Sequence, residues 1–191
     1  MTSRLLSLAA LALAAAVLPA RATTILLNTP SSPAPGSSFD VTVQLTGVFD
    51  THPGDALAAF GFDIVIGSPA SVSYTGETIG ALFTDASGLF GPSPEVAGFA
   101  TAGFLQAGDF TEPLTLATLH FQAGAPGFSS IGITTDLEDP NQGLLYLTAG
   151  ADPLDASTTV TVAATTTPEP GTAVFGGLAL ASLWLYRRHR V

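Results

Sequence analysis

The side chains able to do chemistry in this 191-residue chain are almost all carboxylates: fifteen Asp and Glu, against three His and no Cys. Without a thiol there is no disulfide framework, no thiolate metal site and no cysteine nucleophile. Oxygen donors crowd into turns, above all Asp136, Glu138, Asp139 and Asn141 beside Gly143, while Asp50 and Asp55 flank a second turn and Asp152 and Asp155 a third. Hard oxygen sets of this kind take calcium, the one cofactor the composition points to. None has the spacing of an EF-hand loop, and Asp and Asn also occupy turns by accepting bonds from their own backbone. His52 sits in a Pro/Gly turn near Asp50 and Asp55, and His120 shares a strand face with Thr118 and Gln122. Zinc needs three or four ligands, and no G-x-S-x-G stands in the chain to present a serine nucleophile. Both histidines are therefore expected at the surface, and no catalytic residue is assigned.

Fifteen acids offer many carboxylate pairs for glycoside hydrolysis, whose determining separation is spatial. Such a site also wants sugar-stacking aromatics and a cation near the acids. The sole Trp, Trp184, lies near the C-terminus, and the body has only Tyr74 and Tyr146. A carboxylate-based glycoside hydrolase thus ranks third among the readings.

The five basic residues are Arg4, Arg21, Arg187, Arg188 and Arg190, so all fifteen acids lie in a stretch, Ala22 to Tyr186, that contains no Lys or Arg. Nucleic acid is excluded as a partner, because neutralising phosphates takes a Lys/Arg footprint. Carboxylates in such a stretch must be solvated, hydrogen-bonded in turns, or bound to cations.

The arginines mark two terminal addresses. Arg4, the apolar run Leu5 to Val17, and the small residues Ala20 and Ala22 flanking Arg21 read as a secretory signal over residues 1–22, cleaved by signal peptidase after Ala22. The run is too short to cross a bilayer core, which takes about 20 apolar residues. A second apolar run, Thr172 to Tyr186, ends on Arg187, Arg188 and Arg190. With the arginines snorkelling it makes a marginal membrane helix whose basic end stays cytoplasmic. Pro168, Glu169 and Pro170 stand just before it and hold the chain extended and accessible outside the membrane. The order Pro-Glu-Pro, short apolar helix, Arg cluster, over residues 165–191, resembles the PEP-CTERM sorting signal of Gram-negative bacteria. That resemblance implies transient anchoring at the inner membrane, cutting near Pro168–Pro170 by an exosortase-type protease, and release to the cell surface or matrix. The plainer alternative is an anchor that is never cut.

The elements that must position the turn carboxylates occupy residues 23–164. Phe39, Val41, Val43 and Leu45 alternate with Asp40, Thr42, Gln44 and Thr46, a half-buried strand. Phe60, Phe62, Ile64 and Ile66 make a second apolar face. Similar runs recur at residues 25–27, 72–75, 96–103, 114–123, 131–134, 144–148 and 158–164, between Gly, Pro and Asp turns. About nine short strands so spaced predict an all-β antiparallel sandwich; only Thr78 to Ala86 reads as a helical turn. The segments Pro35–Val43, Ala59–Ile66 and Leu116–Ala123 with the Gly124–Gly127 turn resemble the cohesin-like family of bacterial extracellular modules. This implies a jelly-roll or Ig-like sandwich that binds carbohydrate or protein. The domain departs from that family in having no Lys or Arg. The expected function is that of an exported, non-catalytic surface or matrix protein, structural or adhesive, with exopolysaccharide or an envelope protein as partner.

Overall fold

The computed structural model describes residues 22–164. The expected signal helix, the expected membrane helix and the expected sorting residues Pro168, Glu169, Pro170, Arg187, Arg188 and Arg190 lie outside these residues, as does Ala20. Among the described residues no helix is long and apolar enough to cross a membrane.

The described residues form eleven strands: β1 Thr24–Asn28, β2 Ser38–Thr46, β3 Leu57–Ile66, β4 Val72–Ile79, β5 Phe83–Asp85, β6 Val96–Ala100, β7 Leu114–Ala123, β8 Gly127–Thr134, β9 Gly143–Tyr146, β10 Gly150–Asp152 and β11 Ala156–Val162. All pairings are antiparallel. One sheet runs β1-β2-β7-β4; the other runs β10-β9-β3-β6-β5, with β8 joining β3 to β11. The nine expected strands are all present. The expected helical turn at Thr78–Ala86 is instead the end of β4, a turn in which Phe83 N–H bonds Gly80 C=O, and β5. The three-residue strands β5 and β10 are too short to leave a periodic signal.

Period two in β2 buries Phe39, Val41, Val43 and Leu45 against Phe60, Phe62, Ile131 and Leu144 of the second sheet, in one core with Val160 and Val162 of β11. Two bulges alter the alternation. Between Val43 and Gln44 the register with β7 slips, so that Leu116 and Ala117 are successive buried residues. Between Tyr74 and Gly76 the register of β4 on β7 slips at Thr75, which sets Thr78 opposite Thr118 on the outer face.

Strand β3 organises the second sheet. Its residues Asp63–Ile66 pair with β8 and Leu57–Gly61 with β9, so the chain leaves the ladder at Thr134, loops out over residues 135–142 and rejoins at Gly143 opposite Gly61. The loop lies close on Gly61: a Cβ there would stand 2.1 Å from the Asn141 carbonyl oxygen, so only glycine fits.

Candidate functional site

Within the turn that carries Asp136, Glu138, Asp139 and Asn141, the carboxylates serve the backbone. Asp136 Oδ1 accepts from Glu138 N–H (2.9 Å), and Asp139 Oδ1 accepts from Asn141 N–H (2.9 Å) and Asn141 Nδ2 (3.0 Å). Among the described residues no three His, Cys, Asp or Glu side chains gather to hold a metal ion. The turn is pinned by Gln142, which is only 1% exposed. Its Oε1 accepts from Asp136 N–H (2.6 Å), and its Nε2 donates to Asp63 Oδ2 (3.0 Å) and Ser93 Oγ (2.6 Å). Asp63 Oδ1 also accepts Glu95 N–H (2.9 Å), so one carboxylate on β3 ties two loops to the sheet. Sequence reasoning missed this node, because a lone Gln in a polar turn carries no sign of burial.

The richest concave surface lies at the end of the sandwich where the β2–β3 loop, the β6–β7 connection and the β9–β10 turn meet. Four rings run through it. Phe110 packs on Phe49 with centroids 6.1 Å apart, Phe49 on Tyr146 at 6.0 Å, and Tyr146 on His52 at 4.8 Å. Tyr146 is the buried member and donates its hydroxyl to Val48 C=O at 2.5 Å. Burial, then the negative charges of Asp152 and Asp55, push its pKa up to about 12, with the Thr23 hydroxyl offsetting part of the rise. His52, expected on the surface, is half-buried against this ring because it has a partner one hundred residues along the chain. Its Nε2 donates to both oxygens of Asp152, at 3.1 and 3.0 Å.

Carboxylates fix the loops around the rings. Asp55 accepts from Ala56 N–H (2.8 Å), Thr148 N–H (3.2 Å) and Ala149 N–H (2.8 Å), joining the β2–β3 loop to the β9–β10 turn. Desolvation raises its pKa, but these amide bonds outweigh it and hold the carboxyl below its usual range. Glu112 accepts from Gly47 N–H (2.7 Å) and Val48 N–H (3.3 Å). Asp50 and Asp55, which the sequence places on one turn, therefore face different neighbours.

Three depressions succeed one another across this end. One of about 280 Å³ is lined by His52, Pro53, Gly54, Asp55, Thr148 and Ala149. The next, of about 340 Å³, shares Pro53 and Gly54 and has Phe49 and Phe110 among its walls, with Asp50 and Glu112 at its rim. The third, of about 460 Å³, shares Asp50 and Glu112 and reaches Ala22 and Thr24. The result is a shallow groove with an aromatic centre and acceptor oxygens along its edges. It suits a neutral, hydroxyl-rich ligand better than an anion, since no Lys or Arg stands between Ala22 and Tyr186.

A second constellation sits on the outer face of the four-stranded sheet. His120 Nδ1 donates to Asp40 Oδ1 (2.8 Å), and in the neutral imidazole this leaves Nε2 to accept from the Thr78 hydroxyl (2.9 Å). The order hydroxyl, imidazole, carboxylate matches that of an activated nucleophile. The three residues come from the adjacent strands β4, β7 and β2, with Thr75 bulged out of the ladder beside them. Its sequence signal was half present, in the outward parity of Asp40 and His120; the Thr75 bulge hid Thr78. Compared with known proteins, the chain matches no protein-family model and no curated protein sequence.

Proposed function

We propose that the chain is an exported, non-catalytic surface or extracellular-matrix protein whose domain adheres to a neutral exopolysaccharide through the groove at the Phe49–Phe110 end. The observation that carries the reading is this groove, with its aromatic centre, its rim of acceptor carboxylates fixed by backbone amides, and no Lys or Arg. Sugar rings present an apolar face to an aromatic side chain and donate hydroxyls to carboxylates, and the Phe49–Phe110 pair with the rim carboxylates supports that reading. Delivery follows from the terminal addresses: signal peptidase cuts after Ala22, the C-terminal helix holds the protein at the inner membrane, and an exosortase-type protease cuts near Pro168–Pro170. The two-sheet antiparallel architecture supports reading the sandwich as a cohesin-like jelly roll.

Two measurements test this. Intact mass of the protein from its own host is expected to lack Trp184 and the Arg187–Arg190 cluster; their retention refutes the sorting step. The processed protein is expected to retain purified host exopolysaccharide, and Phe49→Ala with Phe110→Ala to weaken that retention about ten-fold, the equivalent of ~1.4 kcal/mol. Equal retention by the variant refutes the groove.

A further inference from the structure

The depression between Asp50 and Glu112 adjoins the Ala22–Thr23 peptide bond, and this gives it a specific occupant. Thr24 pairs with Thr46 in the β1–β2 ladder, so Thr23 stands opposite Gly47. Its hydroxyl donates to Gly47 C=O at 3.3 Å and lies against the Tyr146 phenol, which fixes the residue at this spot. A Cβ built on Gly47 would stand 3.0 Å from Asp50 Oδ2 and 3.6 Å from the Ala22 carbonyl oxygen, so the carboxylate and the bond flank one point. The Gly47 amide itself bonds Glu112 Oε1 at 2.7 Å, bringing a second carboxylate to the same place.

We propose that this depression is the seat of the α-ammonium group that signal-peptide removal creates at Thr23, so that export installs an ion pair with Asp50 and Glu112 in the finished fold. The proposal rests on the reading that cleavage follows Ala22. Histidines aside, the new terminus is the one cation from Thr23 to Tyr186, since no Lys or Arg occurs there. Before cleavage the same nitrogen is a neutral amide. The titratable groups facing it are Asp50 from the β2–β3 loop, Glu112 from the β6–β7 connection and the Tyr146 phenol behind Thr23. Two carboxylates beside an amine favour its charged form and hold its proton to higher pH.

The chain has no lysine, so in the processed protein an acylating reagent reads this amine alone. The experiment takes protein exported and processed by its own host, establishes the first residue by intact mass, and follows acetylation rate against pH. The amine is expected to titrate above the ordinary value of about 7.7–8.0, making acetylation at pH 7 about ten-fold slower than for an unpaired terminus. Asp50→Asn with Glu112→Gln, which keeps an acceptor for the Gly47 amide, is expected to return the titration to the ordinary value. Acetylation is expected to lower Tm in the wild type and to leave it unchanged in the double variant. A mature chain that begins elsewhere overturns the signal reading and the proposal with it. A chain that begins at Thr23 but titrates ordinarily, with no response to the double variant, overturns the ion pair while leaving the signal reading in force.

Discussion

Removing the Tyr146 hydroxyl tests how the loop end is held together. Tyr146→Phe keeps the ring that packs between Phe49 and His52 but deletes the 2.5 Å bond to Val48 C=O, leaving that carbonyl without its partner. At neutral pH the loss is about 1–2 kcal/mol, or roughly 3–8 °C in Tm for a domain of this size. The alkaline limb is more diagnostic. The folded pKa, about 12, lies above the unfolded value of 10.0. The stabilisation is therefore complete below pH 10 and is lost as pH rises to about 12. Two pH units set a ceiling of ~2.7 kcal/mol, which solvent in the groove reduces to about 1–2 kcal/mol. No Lys or Arg stands between Thr23 and Ala164, so besides the Thr23 α-amine of the processed chain the other group whose unfolded form titrates in this range is Tyr74. Tyr74 is pushed up as well, by burial and then by its hydrogen bond to, and the charge of, Glu77, so Tyr74→Phe is the companion variant. The assay is urea unfolding from pH 8 to 12, read alongside tyrosinate absorbance. Tyr146→Phe is expected to flatten part of the alkaline fall and Tyr74→Phe a further part. An unchanged fall in Tyr146→Phe would refute the assignment of a buried, hydrogen-bonded phenol.

Two further predictions concern the carboxylate nodes. Gln142→Ala removes a fully buried amide that makes three hydrogen bonds and leaves the Asp136 amide and Asp63 Oδ2 short of a partner; a loss of about 3 kcal/mol is expected in urea unfolding, with no change in the groove's ligand retention. Asp55 has a folded pKa below its unfolded one, so its stabilisation is present above the ordinary carboxylate value and disappears as pH falls through the lower one. Asp55→Asn is expected to give a shallower fall of Tm with acid than the wild type, and an equally steep fall would exclude Asp55 as a contributor.

The division between the readable and the unreadable comes from range. Alternation along β2 and β3 is a property of consecutive residues, and it places Phe39, Val41, Phe60 and Phe62 in the core without reference to the fold. Composition likewise determined that the domain's acids would need partners other than Lys or Arg, and Asp55, Asp63 and Glu112 found them in backbone and amide N–H groups. Which N–H groups these would be was a matter of tertiary structure alone. His52 meets Asp152 one hundred residues away only because β9 and β10 return to the start of β3. The fate of the Asp136–Asn141 turn was equally nonlocal, since a buried Gln142 anchored to Asp63 pins the turn to β3.

The bulges mark the limit most sharply. A single extra residue at Thr75 reverses the parity of the rest of β4 and brings Thr78 to His120, whereas strict alternation from Val72 would have turned it inward. The sequence by itself determined an all-β, anionic, lysine-free body over the described residues, because composition and period two are carried by neighbouring residues. The aromatic groove, the depression beside Asp50 and Glu112, and the Asp40–His120–Thr78 array were decided only by the folded chain. Each joins groups from strands and loops whose meeting depends on register, and register is set by the whole sheet.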